Sequence, residues 1–230
     1  MSSLILEVIV CSAADAVAAE KGGASRLEVV RELDRGGLTP SVELVRRIKE
    51  TVDLPLRVMV RESDGYETSG ETEVRRLCAA AQAFSDLGVD GLVLGFLKGR
   101  EIDLDLTSQV LAAAPGLKAT FHHAFEDSVD QQQAVRQLKN LPQVDRILSS
   151  GGAGKLEERT RRLDAYAHAA APEIKIIAGG GIDMDAITLL TRTTSIREFH
   201  VGRAARAGLQ VAGDVQAELV SALVHAIRYD

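Results

Sequence analysis

The chain has 230 residues, 46% of them apolar and 26% charged, which is the composition of an ordinary globular protein with one domain or two small ones. Its formal net charge of −6 and its lack of Trp argue against a general nucleic-acid binder, because phosphate contacts need a basic face and base stacking needs aromatic side chains. The acidic balance also argues against polybasic attachment to a membrane, and no segment reaches the roughly 18 apolar residues of a membrane-spanning helix.

Eight short apolar segments follow one another along the chain, with starts roughly 28 residues apart, which is the length of one strand-plus-helix unit. We predict strands at 5–10, 26–30, 56–60, 91–94, 118–121, 146–149, 174–177 and 198–201. The first strand has no positive region before it and contains Glu7, so a signal peptide is not predicted. Cys11 and Cys78 are the only thiols and form no disulfide framework, so we expect a cytoplasmic protein.

Amphipathic segments separate these strands. We predict helices at 12–21, 41–51, 71–87, 104–114, 130–140, 156–170, 183–191 and 211–228. Strand–helix units in series without a linker predict one α/β domain over residues 1–230, and a count of eight units favours a closed (β/α)8 TIM-like barrel. An open Rossmann-like sheet is the alternative, but no G-x-G-x-x-G motif follows the first strand.

Two carboxylates interrupt the apolar strands, Glu7 in the first and Glu28 in the second. A lone buried carboxylate is unfavourable, so each is expected to meet a cation or several hydrogen-bond donors. Arg26 shares a strand face with Glu28, Arg61 ends the third strand, and Arg146 begins the sixth. Two interpretations stay open: a structural layer of ion pairs that fills the barrel, or an acid–base carboxylate beside a substrate-binding arginine.

Histidines end two of the predicted strands. The fifth strand runs into His122 and His123, and period-two alternation directs His122 to the barrel mouth if Phe121 packs against the helices. Histidine titrates near neutral pH and can act as general acid, general base or metal ligand. His200 ends the eighth strand, where packing and function are both open. The candidate catalytic residues are Glu7, Glu28, Arg61 and His122.

Glycine-rich segments follow the late strands, where TIM barrels often bind phosphate. Backbone N–H groups at Gly180 and Gly181 can approach an anion closely, and Arg203 can add a charge-assisted hydrogen bond; the alternative is a tight turn without a ligand. The polar loop 61–70 is either a lid over the barrel mouth or a solvated loop. The candidate ligand-binding residues, which include donors in the loops after the second and sixth strands, are Arg26, Thr39, Ser150, Gly151, Gly180, Gly181, His200 and Arg203.

Together these segments resemble the CutC-like family of copper homeostasis proteins, from the first strand to about residue 206. The resemblance rests on Leu6-Glu-Val8, Gly22-Gly-Ala-Ser-Arg-Leu-Glu28, Gly36-Gly-Leu-Thr-Pro-Ser41, Arg61, Gly88-Val-Asp-Gly-Leu-Val93, Thr120-Phe-His122, Ala124-Phe125, Ser150-Gly151, Gly179-Gly-Gly-Ile182 and Glu198-Phe-His200. It implies a cytosolic TIM-like barrel, often a homo-oligomer, with a role in copper tolerance and copper binding. Under this resemblance the candidate copper ligands are Cys11, His122, His123 and Glu7.

Some positions depart from the family pattern. Ile9 and Val10 stand where family members carry cysteine after the first-strand glutamate, and Val30 stands where they often carry another. Because Cu(I) prefers thiolate and thioether ligands, the remaining carboxylate, arginine, histidine and glycine set favours a small anionic ligand. Three functions stay open: a lyase- or isomerase-type enzyme for a small phosphorylated or carboxylated metabolite, a copper-binding protein, and a non-catalytic ligand-binding barrel.

Overall fold

Eight parallel strands close into a barrel in the computed structural model, which describes residues 4–228. The strands in chain order are β1 (Ile5–Val10), β2 (Arg26–Val29), β3 (Leu56–Met59), β4 (Gly91–Leu94), β5 (Leu97–Lys98), β6 (Glu101–Ile102), β7 (Lys118–Phe121), β8 (Val144–Ser149), β9 (Lys175–Ala178) and β10 (Glu198–Val201). All but β5 and β6 belong to the barrel, where β10 pairs with β1 and closes the ring. The predicted single-domain TIM-like barrel is therefore confirmed, although residues 1–3 and 229–230 of the predicted domain lie outside the described residues.

Helices follow the barrel strands and cover the outside of the sheet. They are α1 (Ala13–Lys21), α2 (Val42–Thr51), α3 (Glu71–Asp86), α4 (Leu104–Ala112), α5 (Ala124–Asp127), α6 (Gln131–Leu138), α7 (Leu156–Ala170), α8 (Met184–Thr193) and α9 (Ala217–Arg228). Side-chain caps set several starts: Ser12 accepts the N–H of Asp15, and Asp183 accepts the N–H of Ala186. No helix within residues 4–228 has both the length and the apolar character needed to cross a membrane.

Alternation along each strand separates two environments. On β1, Leu6 and Val8 belong to the large apolar core shared with the helices, whereas Glu7 is buried among charged groups inside the barrel. A second, smaller apolar cluster lies inside the barrel and contains Val30, Met59 and Val93. The interior of the barrel is therefore partly ionic and partly apolar.

The structure differs from the prediction at short elements. The β5–β6 hairpin and the one-turn helix α5 were not predicted, because two to four residues show no periodicity. The last helix begins at Ala217 and not at 211, because the preceding segment is held by side chains. Arg206 donates to the Gly213 carbonyl at 2.7 Å, and Asp15 accepts the N–H of Val215 at 3.1 Å.

Candidate functional site

A cavity of about 470 Å³ opens at the carboxyl ends of the barrel strands, where TIM barrels carry their active sites. The sequence-predicted residues that line it are Glu28, Arg61, His122, His123, Gly180, Gly181, His200 and Arg203. The lining does not include the other sequence-predicted residues, which are Glu7, Cys11, Arg26, Thr39, Ser150 and Gly151. Barrel closure thus brings most of the charged candidates to one mouth.

A layer of ion pairs crosses the barrel beneath the cavity; we call it the ionic layer, and it consists of Glu7, Arg26, Arg57, Asp145, Arg146 and Glu198. Nε of Arg26 donates to Glu7 at 2.5 Å, and its Nη2 donates to Glu198 at 3.0 Å. Nε of Arg146 reaches Glu198 at 2.7 Å. Arg26, which we expected to bind ligand, instead forms buried ion pairs. This agrees with the interpretation of a structural layer of ion pairs that fills the barrel.

Strand register places Glu7, His200 and Glu28 together at the cavity floor. Glu7 is level with His200 on β10 and with Arg26 on β2. Nδ1 of His200 lies 2.8 Å from Oε1 of Glu7 and 3.2 Å from Oε2 of Glu28. Oε2 of Glu28 has no hydrogen-bond partner within residues 4–228. One imidazole thus stands between two carboxyl groups, of which only Glu7 also has an arginine.

These three buried groups differ in their affinity for protons. Burial opposes the charge on Glu7, but Arg26 and His200 outweigh it and hold the pKa of Glu7 well below its ordinary value. Burial raises the pKa of Glu28 to about 7, although His200 opposes the shift. Burial also disfavours charge on His200, yet Glu28 and Glu7 raise the pKa of that imidazole. Glu28 can therefore exchange a proton near neutral pH, as a general acid or base must.

His122 is a buried, neutral histidine in the cavity wall. The Ala124 N–H donates to its Nδ1 at 3.2 Å, so Nε2 carries the proton in the neutral ring. Nε2 itself has no partner in the described part of the chain. Burial and the nearby Arg61 lower the pKa of His122 to about 3. The ring of Tyr66 packs against it with centroids 5.2 Å apart.

Arg61 is a nearly buried cation of the cavity wall, with 8% of its surface exposed. Its guanidinium donates to backbone carbonyls of residues 36–37 and 64–65 and lies 5.2 Å from the ring centre of Tyr66. Among the described residues no carboxylate forms an ion pair with it. Tyr66, which lies in loop 61–70, also lines the cavity, so this loop reaches the barrel mouth. Sequence analysis did not identify Tyr66 as a candidate.

The loop after β9 presents unused donors beside a second arginine. Gly180 and Gly181 have φ values of +69° and +80°, in the left-handed region that glycine tolerates. A Cβ at Gly181 would lie 3.4 Å from Nη2 of Arg203, so the guanidinium stands next to this loop. Within residues 4–228 the N–H groups of Gly180, Gly181 and Ile182 donate to no backbone carbonyl. This arrangement suits an anion.

The loop after β8 already holds a carboxylate of the protein itself. Glu126 accepts hydrogen bonds from the Ser149 hydroxyl at 2.7 Å, from the Ser150 hydroxyl at 3.0 Å and from the Ser150 N–H. Gly151 donates its N–H to the Ser149 hydroxyl. Burial opposes the charge on Glu126, but His123 and these donors lower its pKa to about 2. Sequence reasoning missed Glu126, because no motif connects a carboxylate with donors 24 residues away.

Two further candidates have structural partners. The Thr39 hydroxyl accepts the N–H of Arg61 and donates to its carbonyl, both at 2.9 Å, so it fixes the residue that follows β3. Cys11 is half-buried, and Nη2 of Arg206 lies 3.7 Å from its Sγ. Burial raises the pKa of the Cys11 thiol, which disfavours the thiolate that binds metals.

The residues present do not fit a Cu(I) site, which prefers sulfur ligands. Within residues 4–228, the group of metal-ligand side chains with donor atoms inside 4.8 Å of one another is Glu7, Glu28 and His200, which offers oxygen and nitrogen. Cys11 lies outside the cavity lining, and Met59, a thioether in the lining, packs in the apolar cluster inside the barrel.

Fold and site together define a TIM-barrel protein whose mouth is lined by arginines, histidines and one protonatable glutamate. The chain belongs to the CutC family, whose model matches residues 4–205. A CutC protein of Xylella fastidiosa (strain Temecula1 / ATCC 700964) is 34% identical over 196 residues, which cover 85% of this chain and 73% of that protein. A CutC protein of Bacteroides fragilis (strain YCH46) is 31% identical over 234 residues, which cover 100% of this chain and 92% of that protein.

A solved structure shows the same fold. The crystal structure of a CutC from Streptococcus agalactiae, whose name assigns that protein to copper homeostasis, matches with a TM-score of 0.78 and 26% identity. The match covers 86% of this chain and 97% of the other. The resemblance stated from the sequence is therefore confirmed.

Proposed function

We propose that the cavity at the barrel mouth binds a small anionic ligand that carries a phosphate or carboxylate group. The observation that carries this proposal is Arg61, a buried guanidinium in the cavity wall with no carboxylate partner in the described part of the chain. Its donors are satisfied by carbonyls, which leave its positive charge uncompensated. A buried charge without a counter-ion is unfavourable, so an anion in the cavity would be stabilised by it.

Arg203 and the loop after β9 supply the second contact. Arg203 is exposed at the rim, where it can attract an anion from solvent, and the free N–H groups of Gly180 and Gly181 lie beside it. Both elements follow the last two barrel strands, the position at which TIM barrels often bind phosphate. Two positive groups in the lining of one cavity suit a ligand that carries an anionic group.

The proposal is tested by titrating inorganic phosphate into the protein in a calorimeter. We expect saturable binding that Arg203→Met weakens about tenfold, because it removes one charge-assisted hydrogen bond. Arg75→Met is the matched control, since Arg75 lies on α3 with 70% of its side chain exposed, and it should bind phosphate like the wild type. Failure of the wild type to bind phosphate would overturn the proposal.

A copper titration separates this function from the one that the Streptococcus agalactiae protein's name suggests. Under reducing conditions with a competing chelator, we expect no tight stoichiometric binding of Cu(I), because the cavity offers no cysteine. Tight binding that disappears in Cys11→Ser would favour the copper function instead.

A further inference from the structure

Two buried polar atoms that make no hydrogen bond within residues 4–228 belong to residues that line the cavity. One is Nε2 of His122, and the other is Oε2 of Glu28, which lies 3.2 Å from Nδ1 of His200. The two residues are 4% and 2% exposed. Leaving a buried polar atom unpaired is unfavourable, so such atoms in a cavity indicate the polar groups of a ligand. One atom is a donor and the other belongs to a carboxyl group.

His122 is held in one orientation and one tautomer. Its Nδ1 accepts the Ala124 N–H, and a Cβ at Gly95 would lie 2.5 Å from that same nitrogen, so this ring edge is packed against the chain after β4. Tyr66 covers the ring from the side. A neutral imidazole held in one orientation, with an N–H that has no partner, can stabilise negative charge that develops on a ligand oxygen.

Glu28 is the carboxyl group of the floor cluster that lacks its own cation. Glu7 has Arg26 at 2.5 Å and the imidazole of His200 at 2.8 Å, so it stays ionised. Glu28 has only the longer contact to His200, at 3.2 Å. Glu28 also lines the cavity and has no arginine to hold it ionised, so it is the carboxyl group of the cluster that can accept and return a proton. Two carboxyl groups in one cluster thus have two different roles.

On the basis of the anion site proposed above, we infer that this cavity transfers a proton at the carbon next to a carbonyl group of a small phosphorylated substrate, with Glu28 as base and His122 as donor to the carbonyl oxygen. Glu28 takes the proton, the C–H electron pair forms a carbon–carbon double bond, and the carbonyl π pair moves to the oxygen. The Nε2–H of His122 hydrogen bonds to that oxygen. Return of the proton from Glu28 restores the carbonyl, so the step needs no oxidant or co-reactant.

The donor role is tested with 2-phosphoglycolate, whose planar carboxylate resembles the intermediate of this step and whose other end is a phosphate. We expect wild-type protein to bind it at least tenfold more tightly than inorganic phosphate. His122→Phe should lose about tenfold or more of the 2-phosphoglycolate affinity and keep the affinity for inorganic phosphate. His122→Gln, which retains an N–H donor, should lose less, and His168→Phe, on the exposed face of α7, should change neither.

Each outcome separates the two proposals. If inorganic phosphate and 2-phosphoglycolate both fail to bind, the anion site itself is absent and this inference falls with it. If both bind equally, or if His122→Phe weakens both alike, the anion site stands and the donor role of His122 is wrong. Thermal unfolding of every variant shows whether a loss of binding comes from loss of the fold.

The base role is tested by proton NMR with dihydroxyacetone phosphate in D2O, which carries exchangeable hydrogens next to its ketone. Wild-type protein should replace them with deuterium faster than buffer does, and Glu28→Gln should slow the exchange about 100-fold or more. Glu28→Gln keeps the shape of the side chain, so its phosphate affinity should persist. No exchange by the wild type, or equal exchange by Glu28→Gln, would overturn the proton transfer and leave a binding site.

Discussion

At the scale of single residues, the same residue type takes different roles because its neighbours differ. Arg26 is surrounded by carboxylates and belongs to the ionic layer, whereas Arg61 has backbone carbonyls and no ion pair among the described residues. Glu7 and Glu28 differ in the same way, since only Glu7 has an arginine. A charge count along the chain cannot distinguish these roles, because each depends on partners from other strands.

Removal of Arg26 should be strongly destabilising. Arg26→Met removes a cation that pairs with the buried carboxylates Glu7 and Glu198. Removal of one partner of a buried ion pair typically lowers the free energy of unfolding by about 3–5 kcal/mol. Urea unfolding should show a free energy of unfolding that is lower by that amount. The control is Arg46→Met, which breaks an exposed pair with Glu43 and should change stability by less than about 1 kcal/mol. Equal stability of the two variants would show that the ionic layer contributes little.

At the scale of elements, the first and last helices pack closely at one glycine. Gly22 ends α1 and donates its N–H to the carbonyl of Ala18 at 3.0 Å. A Cβ on Gly22 would lie 2.6 Å from the Ala217 carbonyl oxygen and 2.5 Å from Cβ of Val220, both on α9. Those distances are shorter than van der Waals contact, so α1 and α9 can approach this closely only without a side chain at position 22.

Gly22→Ala should therefore push the two helices apart. We expect a loss of about 1–3 kcal/mol in unfolding free energy, which is typical of overpacking a well-packed contact. The matched control is Gly116→Ala, because no atom lies within 4 Å of a Cβ at that position. Its stability should equal or slightly exceed that of the wild type. Urea denaturation of both variants measures the difference, and a Gly22→Ala protein as stable as Gly116→Ala would contradict the close contact.

At the scale of the whole molecule, the buried cluster at the cavity floor couples folding to pH. The folded-state pKa of Glu28, about 7, lies above the ordinary value of 4.5. Between these pH values the folded protein holds more protons than the unfolded chain. The stability contributed by Glu28 is therefore greatest below about pH 4.5 and is lost as the pH rises to about 7. Glu7 works in the opposite direction, because its pKa is lowered and its contribution is lost in acid.

Glu28→Gln should remove the Glu28 contribution. The wild-type unfolding free energy minus that of the variant should fall by roughly 3 kcal/mol between about pH 4.5 and 7. Glu28 also raises the pKa of His200, so the variant loses part of that shift as well, and the smaller shift of His200 adds to the fall. Urea unfolding at a series of pH values measures it, and a difference that does not change with pH would contradict a raised pKa.

The barrel could be predicted from the sequence because eight short strand-like segments start roughly 28 residues apart and are separated by amphipathic segments. The direction of His122 followed from the same alternation, since Phe121 is buried in the outer core. The role of loop 61–70 could not be assigned, because its position depends on hydrogen bonds from Arg61 to carbonyls of residues 36–37 and 64–65, which no sequence pattern shows. Glu126 escaped prediction for a similar reason: its partners, Ser149 and Ser150, lie at the end of β8 and just after it.

The guanidinium of Arg61 fastens two loops at the rim, since the carbonyls it contacts belong to residues 36–37 and 64–65. In the function proposed above, the same guanidinium attracts the anionic ligand. A ligand that bonds to this guanidinium would compete with those carbonyls, so ligand binding would weaken the attachment of both loops to Arg61. Binding inside the barrel would thereby increase the mobility of the loops at its mouth.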